Sequence, residues 1–317
     1  MKRDPPERRA AYGGEGWQTR TRTHRQELGD LWSACGVSTE WEPLRSVLLH
    51  RPGAELAENG DPDARLMLAT VDLGRAQAQH DDLARAYGQA GVTVYEVAPS
   101  AVVPPNQMFC ADLLFMTPEG VILGRPASSV RAGEERWVAR RLADLGIPIL
   151  RTIRDRGTFE GADAAWLNPH TVLLAQGMRT NADGADQVAR LLSELGVTTL
   201  HTTLPPGTMH LMGQLRFVNE HCALAWPGRL ADNARAALRT HGYEIVEPPD
   251  PQELSTGMAM NLVTLAPNHV LLPAGNPHTQ RFLEGLGVRC DPLAVDELTK
   301  AAGAIGCLTG IMERNSE

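Results

Sequence analysis

From residue 45 onward, short apolar runs and longer amphipathic stretches follow one another in a recurring order. The first run, Ser46-Val-Leu-Leu-His50, is stopped by Arg51-Pro-Gly53, as a buried strand would be. A largely acidic, Gly/Pro-containing segment over 54–70 comes next, and a loop of that length is expected to cover something. The spacing of Leu73, Ala76, Leu83 and Tyr87 predicts an amphipathic helix over 72–89, closed near Gly91 and followed by a strand over 92–97.

The same order then returns four times. A second copy runs from Asp112-Leu-Leu-Phe-Met116 through a Pro-Glu-Gly turn to Val121-Ile-Leu123, a helix over 134–145 and a strand over 147–153. The third starts at Ala164, turns at Asn-Pro-His170, and adds a helix over 185–195 and a strand over 197–203. The fourth starts at Leu215, turns at Asn219-Glu-His221, and adds a helix over 230–241 and a strand over 243–247. The fifth starts at Asn261, turns at Ala266-Pro-Asn-His269, and adds a helix over 277–286 and a strand over 288–290. A hairpin, helix and return strand of roughly 50 residues cannot bury its own apolar face, so several must share a core. The expectation is an α/β fold, a pseudo-fivefold propeller of five ββαβ units forming a single catalytic domain over 31–317. Residues 1–30 are polar and arginine-dotted, which predicts a mobile arm, helical at most over 26–35.

Composition narrows the partners. A formal net charge of −8 argues against nucleic-acid or acidic-membrane binding, which need a positive field. No stretch reaches the roughly 18 consecutive apolar residues of a membrane span. The five cysteines are odd in number and widely spaced, without zinc-ligand spacing, which fits a reduced, cytoplasmic protein needing no metal or organic cofactor. Lysine is scarce while arginine, alanine and glycine abound; this reads as coding bias, so the arginines carry little weight.

Candidate chemistry collects at the unit starts. Cys307 lies among Gly303, Gly306 and Gly310, in a turn that could present a nucleophile or simply pack an inert thiol. Asp112, Glu160-Gly-Ala-Asp163, the stretch containing His210, and Gly257-Met-Ala-Met-Asn261 precede or open the other hairpins, so the repeat would bring them to one end of the domain. A thiol needs a nearby cation or base to ionise, which gives His210 a purpose. Paired carboxylates match the parallel N–H donors of a guanidinium. A small-molecule guanidino or amidino substrate follows. Cys110 and Cys222 fall in apolar runs and read as packing residues.

Asp112, Glu160-Gly-Ala-Asp163, Arg179-Thr-Asn181, His210-Leu and the terminal Gly-Cys307, in that order, resemble the guanidino-group-modifying enzymes: arginine deiminase, dimethylarginine dimethylaminohydrolase and the amidinotransferases. The resemblance covers about residues 42–314. It implies that Cys307 is the nucleophile forming a thiouronium-type adduct, that His210 is the general acid/base, and that Glu160 orients His210 and holds a guanidinium nitrogen. Asp112 would be the second guanidinium-binding acid, and Arg179 and Arg131 would receive a substrate carboxylate. Each has a plainer alternative: Asp163 as a turn cap, Asn181 as a helix N-cap beside Arg179, Arg131 as a solvated loop arginine, and Asn261 as strand entry or a residue facing the site.

One departure bears on substrate. Relatives typically carry His-x-Asp where this chain has His210-Leu-Met212, so an apolar side chain stands where a second acid is expected. That predicts a preference for an N-substituted or otherwise non-arginine guanidino compound. The leading reading is a hydrolase giving a ureido product; an amidinotransferase using the same intermediate is the alternative, and a non-catalytic guanidino-binding protein the lesser one. A homodimer is an open alternative for assembly.

Overall fold

The computed structural model describes residues 9–57 and 60–315. Its strands form five three-stranded sheets of one design: an antiparallel pair, then a parallel third strand reached through a helix. Sheet one pairs β1 (Leu44–Leu49) with β2 (Thr93–Glu96) across α1 (Leu73–Gln89), whose N-cap is Asp72, accepting from the Arg75 N–H. After α2 (Cys110–Leu113), sheet two holds β3 (Leu114–Thr117), β4 (Gly120–Leu123), α3 (Glu134–Asp144) and β5 (Ile149–Thr152). Sheet three holds β6 (Ala164–Asn168), β7 (Thr171–Gln176), α4 (Ala182–Glu194) and β8 (Thr198–Thr203). Sheet four holds β9 (Leu215–Asn219), β10 (Cys222–Ala225), α5 (Asp232–Thr240) and β11 (Glu244–Val246). After α6 (Pro251–Ser255), sheet five holds β12 (Val263–Ala266), β13 (His269–Pro273), α7 (Pro277–Gly285) and β14 (Arg289–Leu293). Then come α8 (Ile305–Leu308) and β15 (Gly310–Arg314), which returns to sheet one antiparallel to β1.

Five inner strands, β15, β3, β6, β9 and β12, therefore ring an axis. All five supply walls to one axial cavity of 80 Å³, through Ile311, Phe115, Ala165, Arg216 and Val263 among others. β15 lies against β3, β1 against β12 and β12 against β9, so the sheets follow one another around a closed ring. The pseudo-fivefold propeller read from the repeat is the observed fold.

Local chemistry explains the recurrence. Asn168 and Asn219 each bend a hairpin by accepting the N–H two residues on, at 2.9 and 2.8 Å. At the corresponding turn before β4, Gly120 has φ +144, and a Cβ there would come 2.5 Å from the Pro148 carbonyl oxygen. Central strands such as β4 are buried throughout, sandwiched between helix and axis.

The structure differs from the sequence reading in places. The first unit's hairpin partner is β15, which the local pattern did not announce. Asp112 does not open a strand: it sits on α2, the helical turn before β3. Residues 26–35 form no α-helix, only a 3-10 turn over Arg25–Glu27 followed by a turn closed by an isolated bridge between Leu28 and Trp32. Of the predicted arm, residues 1–8 lie outside the described residues, while His24 Nε2 reaches the Glu119 carbonyl at 3.0 Å and the Ser33 N–H donates to Gly146. Among the described residues no helix is long and apolar enough to cross a membrane.

Candidate active site

Four of the inner strands are preceded by a short helical turn and β12 by a non-helical turn, and these turns meet at one end of the axis. Cys307 is on α8 before β15, Asp112 on α2 before β3, and Glu160 caps the 3-10 turn Gly161–Asp163 before β6. His210 caps the 3-10 turn Leu211–Gly213 before β9, and Asn261 lies just before β12. Gly161 is what lets two of these turns touch: a Cβ there would overlap the Leu114 carbonyl oxygen and lie 2.6 Å from that of Ala111.

His210, Glu160 and Asp112 come together in a buried cluster. His210 Nε2 lies 2.6 Å from Glu160 Oε2, and Nδ1 lies 3.8 Å from Asp112 Oδ1. Burial disfavours the imidazolium, but the charge of Asp112, the hydrogen bond to Glu160 and the charge of Asp163 outweigh it and raise His210 to about 9. Burial likewise pushes the Glu160 carboxyl up, yet the bond from His210 and the charges of His210, Arg131 and Arg179 bring it down to about 2. The pair is a charged one. Asp163 sits behind it as a positioning group, accepting the Leu211 N–H at 3.1 Å and the Thr180 hydroxyl at 2.7 Å. It holds the backbone beside His210 and touches no open space.

The arginines are not where the sequence expected them. Arg131 is no solvated loop residue: it is 3% exposed, and its guanidinium binds Asp112 Oδ2 at 2.7 Å, Glu134 Oε2 at 2.9 Å and Glu160 Oε2 at 3.2 Å. Its donors are spent on these acids, so in this structure it does not face outward to receive a carboxylate. Arg179 is buried at 3.4 Å from Glu160 Oε1 and lines a 20 Å³ pocket with Asp112, Arg131, Phe109 and Cys307. Asn181 caps α4 by accepting the Gly184 N–H, and it also accepts that of Thr158.

Cys307 is buried and gripped by Asn261, whose Nδ2 donates to Sγ at 2.9 Å while its Oδ1 accepts the Cys307 N–H at 3.0 Å. Burial and the charge of Asp112 push the thiol up; the Asn261 bond, the backbone at Ala304 and the charge of Arg216 oppose them. His210 does not contact the thiol, because both ring nitrogens face carboxylates. In place of the expected thiol–imidazole pair the structure has a thiol–amide pair, Cys307 with Asn261. Cys110 is buried on α2 instead of a strand, its thiol raised by burial. Glu134 and Arg216 went unnoticed in the sequence. The one signal for Arg216 was a cation inside the apolar run Leu215-Arg-Phe-Val218.

A groove of 410 Å³ opens beside the cluster, lined by Cys307, His210 and Asn261 together with Met209, Met212, Met258, Met260 and Trp226. Leu68 of the 54–70 segment also lines this groove; the Leu68 and Ala69 N–H groups donate to the Lys300 carbonyl, and the Asn106 amide donates to that of Arg65. Residues 58 and 59 of that segment lie outside the described residues.

Two groups have metal-ligating side chains close together among the described residues. Asp112, Glu160 and His210 bring ligand atoms within 4.8 Å of one another, but the Arg131 guanidinium already supplies the cation there. In the other, Glu253 accepts the N–H groups of His278 and Thr279 at the start of α7, and Asp250 caps α6. Those acids are spent as helix caps.

Known proteins resemble this chain in sequence family and in fold. Residues 69–306 match the family model described as N,N dimethylarginine dimethylhydrolase, eukaryotic. The N(G),N(G)-dimethylarginine dimethylaminohydrolase of Pseudomonas aeruginosa is 25% identical over 242 residues, covering 76% of this chain and 90% of that protein. An uncharacterized protein of Aeropyrum pernix is 27% identical over 266 residues, covering 83% and 93%. A solved structure of the Pseudomonas aeruginosa enzyme complexed with citrulline superposes with a TM-score of 0.70 at 21% identity, over 86% of this chain and 100% of that one. An amidinotransferase of saxitoxin biosynthesis from Microseira wollei gives 0.71 at 14% identity, over 89% and 98%. These superpositions establish the fold, and the family match reaches from just before α1 to the residue before Cys307. The chain belongs to the N,N dimethylarginine dimethylhydrolase family of guanidino-group-modifying enzymes.

Proposed function

We propose that the protein is a cysteine-dependent hydrolase of N-substituted guanidino compounds. The observation that carries this reading is the charged Glu160–His210 pair beside Asp112, with the His210 side chain lining the same groove as Cys307. In the first step the Cys307 thiolate attacks the guanidinium carbon, a C–S bond forms, and His210, protonated at neutral pH, gives its proton to the departing amine nitrogen as the C–N bond breaks. In the second, neutral His210 takes a proton from water, the hydroxide adds to the thiouronium carbon, and C–S cleavage releases a ureido product and the thiolate. Asp112 and Glu160 would hold the substrate guanidinium where Arg131 now lies. A displaced Arg131 would then stand free, with Arg179, to meet a substrate carboxylate.

Space favours a substituted guanidine. The pocket on the Asp112 and Arg179 side has 20 Å³, whereas the groove on the Met212 and His210 side has 410 Å³ and is walled by four methionines and a tryptophan. Methionine offers an adaptable apolar surface to carbon and no partner to an N–H. That same room supports amidino transfer as a second reading, because an acceptor amine could lie in the groove and intercept the adduct in place of water.

The test is incubation with arginine, its N-methylated forms and short guanidino acids, following ureido product, free amine, ammonia and amidine transfer to added amines. Ureido product and amine from the N-substituted compounds is the expected result. Amidine transfer without ureido product would establish the second reading, and binding without turnover of any compound would refute both.

A further inference from the structure

Arg216 and Glu40 are the charged residues lining the axial cavity, and the chemistry above gives Arg216 no task. It projects from the inner strand β9, with Nε donating to the Met260 carbonyl at 3.1 Å. Its Nη2 is shielded from solvent and has no hydrogen-bond partner. That nitrogen lies against the backbone just before the nucleophile: a Cβ on Gly306 would overlap it and would stand 3.0 Å from Asn261 Oδ1. Gly306 is therefore the gap through which a guanidinium reaches the underside of α8.

A cation removed from water and given one carbonyl bond is costly unless an anion faces it. Burial draws Arg216 down to about 10, opposed first by Cys307 and then by Glu40 and Tyr87. Glu40 stands across the 80 Å³ cavity with Oε1 taken by the Trp166 N–H at 2.9 Å, and burial raises its carboxyl. Tyr87 is buried and bonded to Thr309. The other charged groups around the thiol are Asp112 on α2, which opposes its ionisation, Arg131 and Arg179 across the small pocket, and His210 across the groove. The last three are committed to Glu160. Arg216 approaches from the axial side, with its Nη2 free of any hydrogen bond.

We propose that Arg216 is a positioning residue that favours ionisation of Cys307 from the axial side and, through the Met260 carbonyl, fixes the Asn261 amide that grips the thiol. The geometry divides the labour: the carboxylates and His210 handle the substrate from the groove, and a buried guanidinium holds the nucleophile's charge from the opposite face. The catalytic consequences rest on the function proposed above, but the state of the thiol does not.

The test is the pH dependence of Cys307 alkylation by iodoacetamide in the full-length protein, with the modified site identified by peptide mapping. Arg216→Gln is expected to move the midpoint up by about one unit and to slow alkylation at pH 8 about tenfold, the size of effect expected for losing one close opposite charge. Arg216→Lys, which keeps the charge, is expected to recover most of that loss, and it decides the matter alone if the glutamine variant does not fold. On a substrate that the wild type turns over, kcat should fall with KM unchanged. A folded Arg216→Gln variant with the wild-type midpoint would overturn the proposal, and so would Arg216→Lys shifting as far as Arg216→Gln. If the wild type turns over no guanidine, the hydrolase reading fails while the alkylation profile still judges Arg216.

Discussion

Replacing Glu160 by glutamine keeps the shape of the side chain and its acceptor for the Ala127 N–H, at 3.1 Å, but removes the charge 2.6 Å from His210. Elevation of the imidazole from 6.5 to about 9 corresponds to about 3 kcal/mol. That sum is shared with Asp112 and Asp163, which remain in the variant. Exchanging a charge-assisted hydrogen bond for a neutral one independently suggests a loss of about 1–2 kcal/mol. Both routes place the variant's imidazole about one unit lower, near 8.

The sign of the pH effect follows from linkage. A histidine raised in the folded state contributes stability that is complete below its unfolded value of 6.5 and is lost as pH rises through about 9. Glu160, depressed to about 2, contributes the same pair's stability above 4.5 and loses it as pH falls through 2. The stability gap between wild type and Glu160→Gln should therefore be widest between about pH 5 and 6.5 and should shrink through pH 9. Urea unfolding at pH 6, 7.5 and 9.5 measures it, and the alkaline limb of kcat/KM should move down by about one unit alongside. A gap that is the same at all three pH values would mean that Glu160 acts by packing, and the charged-pair argument would fail.

Cys307→Ser should reduce turnover on the order of 10³-fold or more without unfolding the protein, whereas Cys110→Ser should leave turnover intact; a thiol label marking Cys110 ahead of Cys307 would contradict the assignment. Gly161→Ala forces a Cβ into the Leu114 carbonyl, so it should cost about 1–3 kcal/mol by thermal unfolding and lower kcat by disturbing Asp112 and Glu160 together; unchanged melting would refute the close approach. Met212→Asp should improve kcat/KM for arginine relative to its N-alkylated forms by about tenfold, the value of one charge-assisted bond, and a wild type that already turns arginine over best would sink that expectation. Because Arg131 supplies the cation among Asp112, Glu134 and Glu160, exhaustive chelation should leave activity unchanged, and restoration by an added divalent ion would show otherwise.

Much of the ring was legible because its signals are local. Turn residues such as Asn168 and Asn219 bend their own backbone, and Asp72 and Asn181 cap the helices that follow them, so hairpins and helices announced themselves within a few residues. What stayed hidden depends on partners remote in sequence. Gly310-Ile-Met312 carries no mark of pairing with Leu48 and Val47, and nothing beside Asn261 says that its amide will meet a sulfur on α8. The arginines were the costliest omission. An arginine-rich composition invited discounting them, yet Arg131, Arg216 and Arg314 are built into the interior, Arg314 with its guanidinium on the Glu42 and Thr264 carbonyls. For a side chain this long, burial is decided by where its tip ends, which no neighbour in sequence reveals.

Sheet one is the only sheet, among the described residues, assembled from strands at opposite ends of the chain, because β15 docks onto β1 after the other four hairpins have been made from near neighbours. Closing a loop of that length carries an entropic cost that the local hairpins avoid, and long-range pairings of this kind form slowly. Cys307 stands three residues before the closing strand, and its partner Asn261 lies just before β12 of the neighbouring sheet. During refolding, then, secondary structure and most of the core should appear before the thiol acquires its grip. As synthesis proceeds, four sheets can be complete while the protein is still inert. Protection or reactivity of one sulfur thus becomes a clock for the moment the ring shuts.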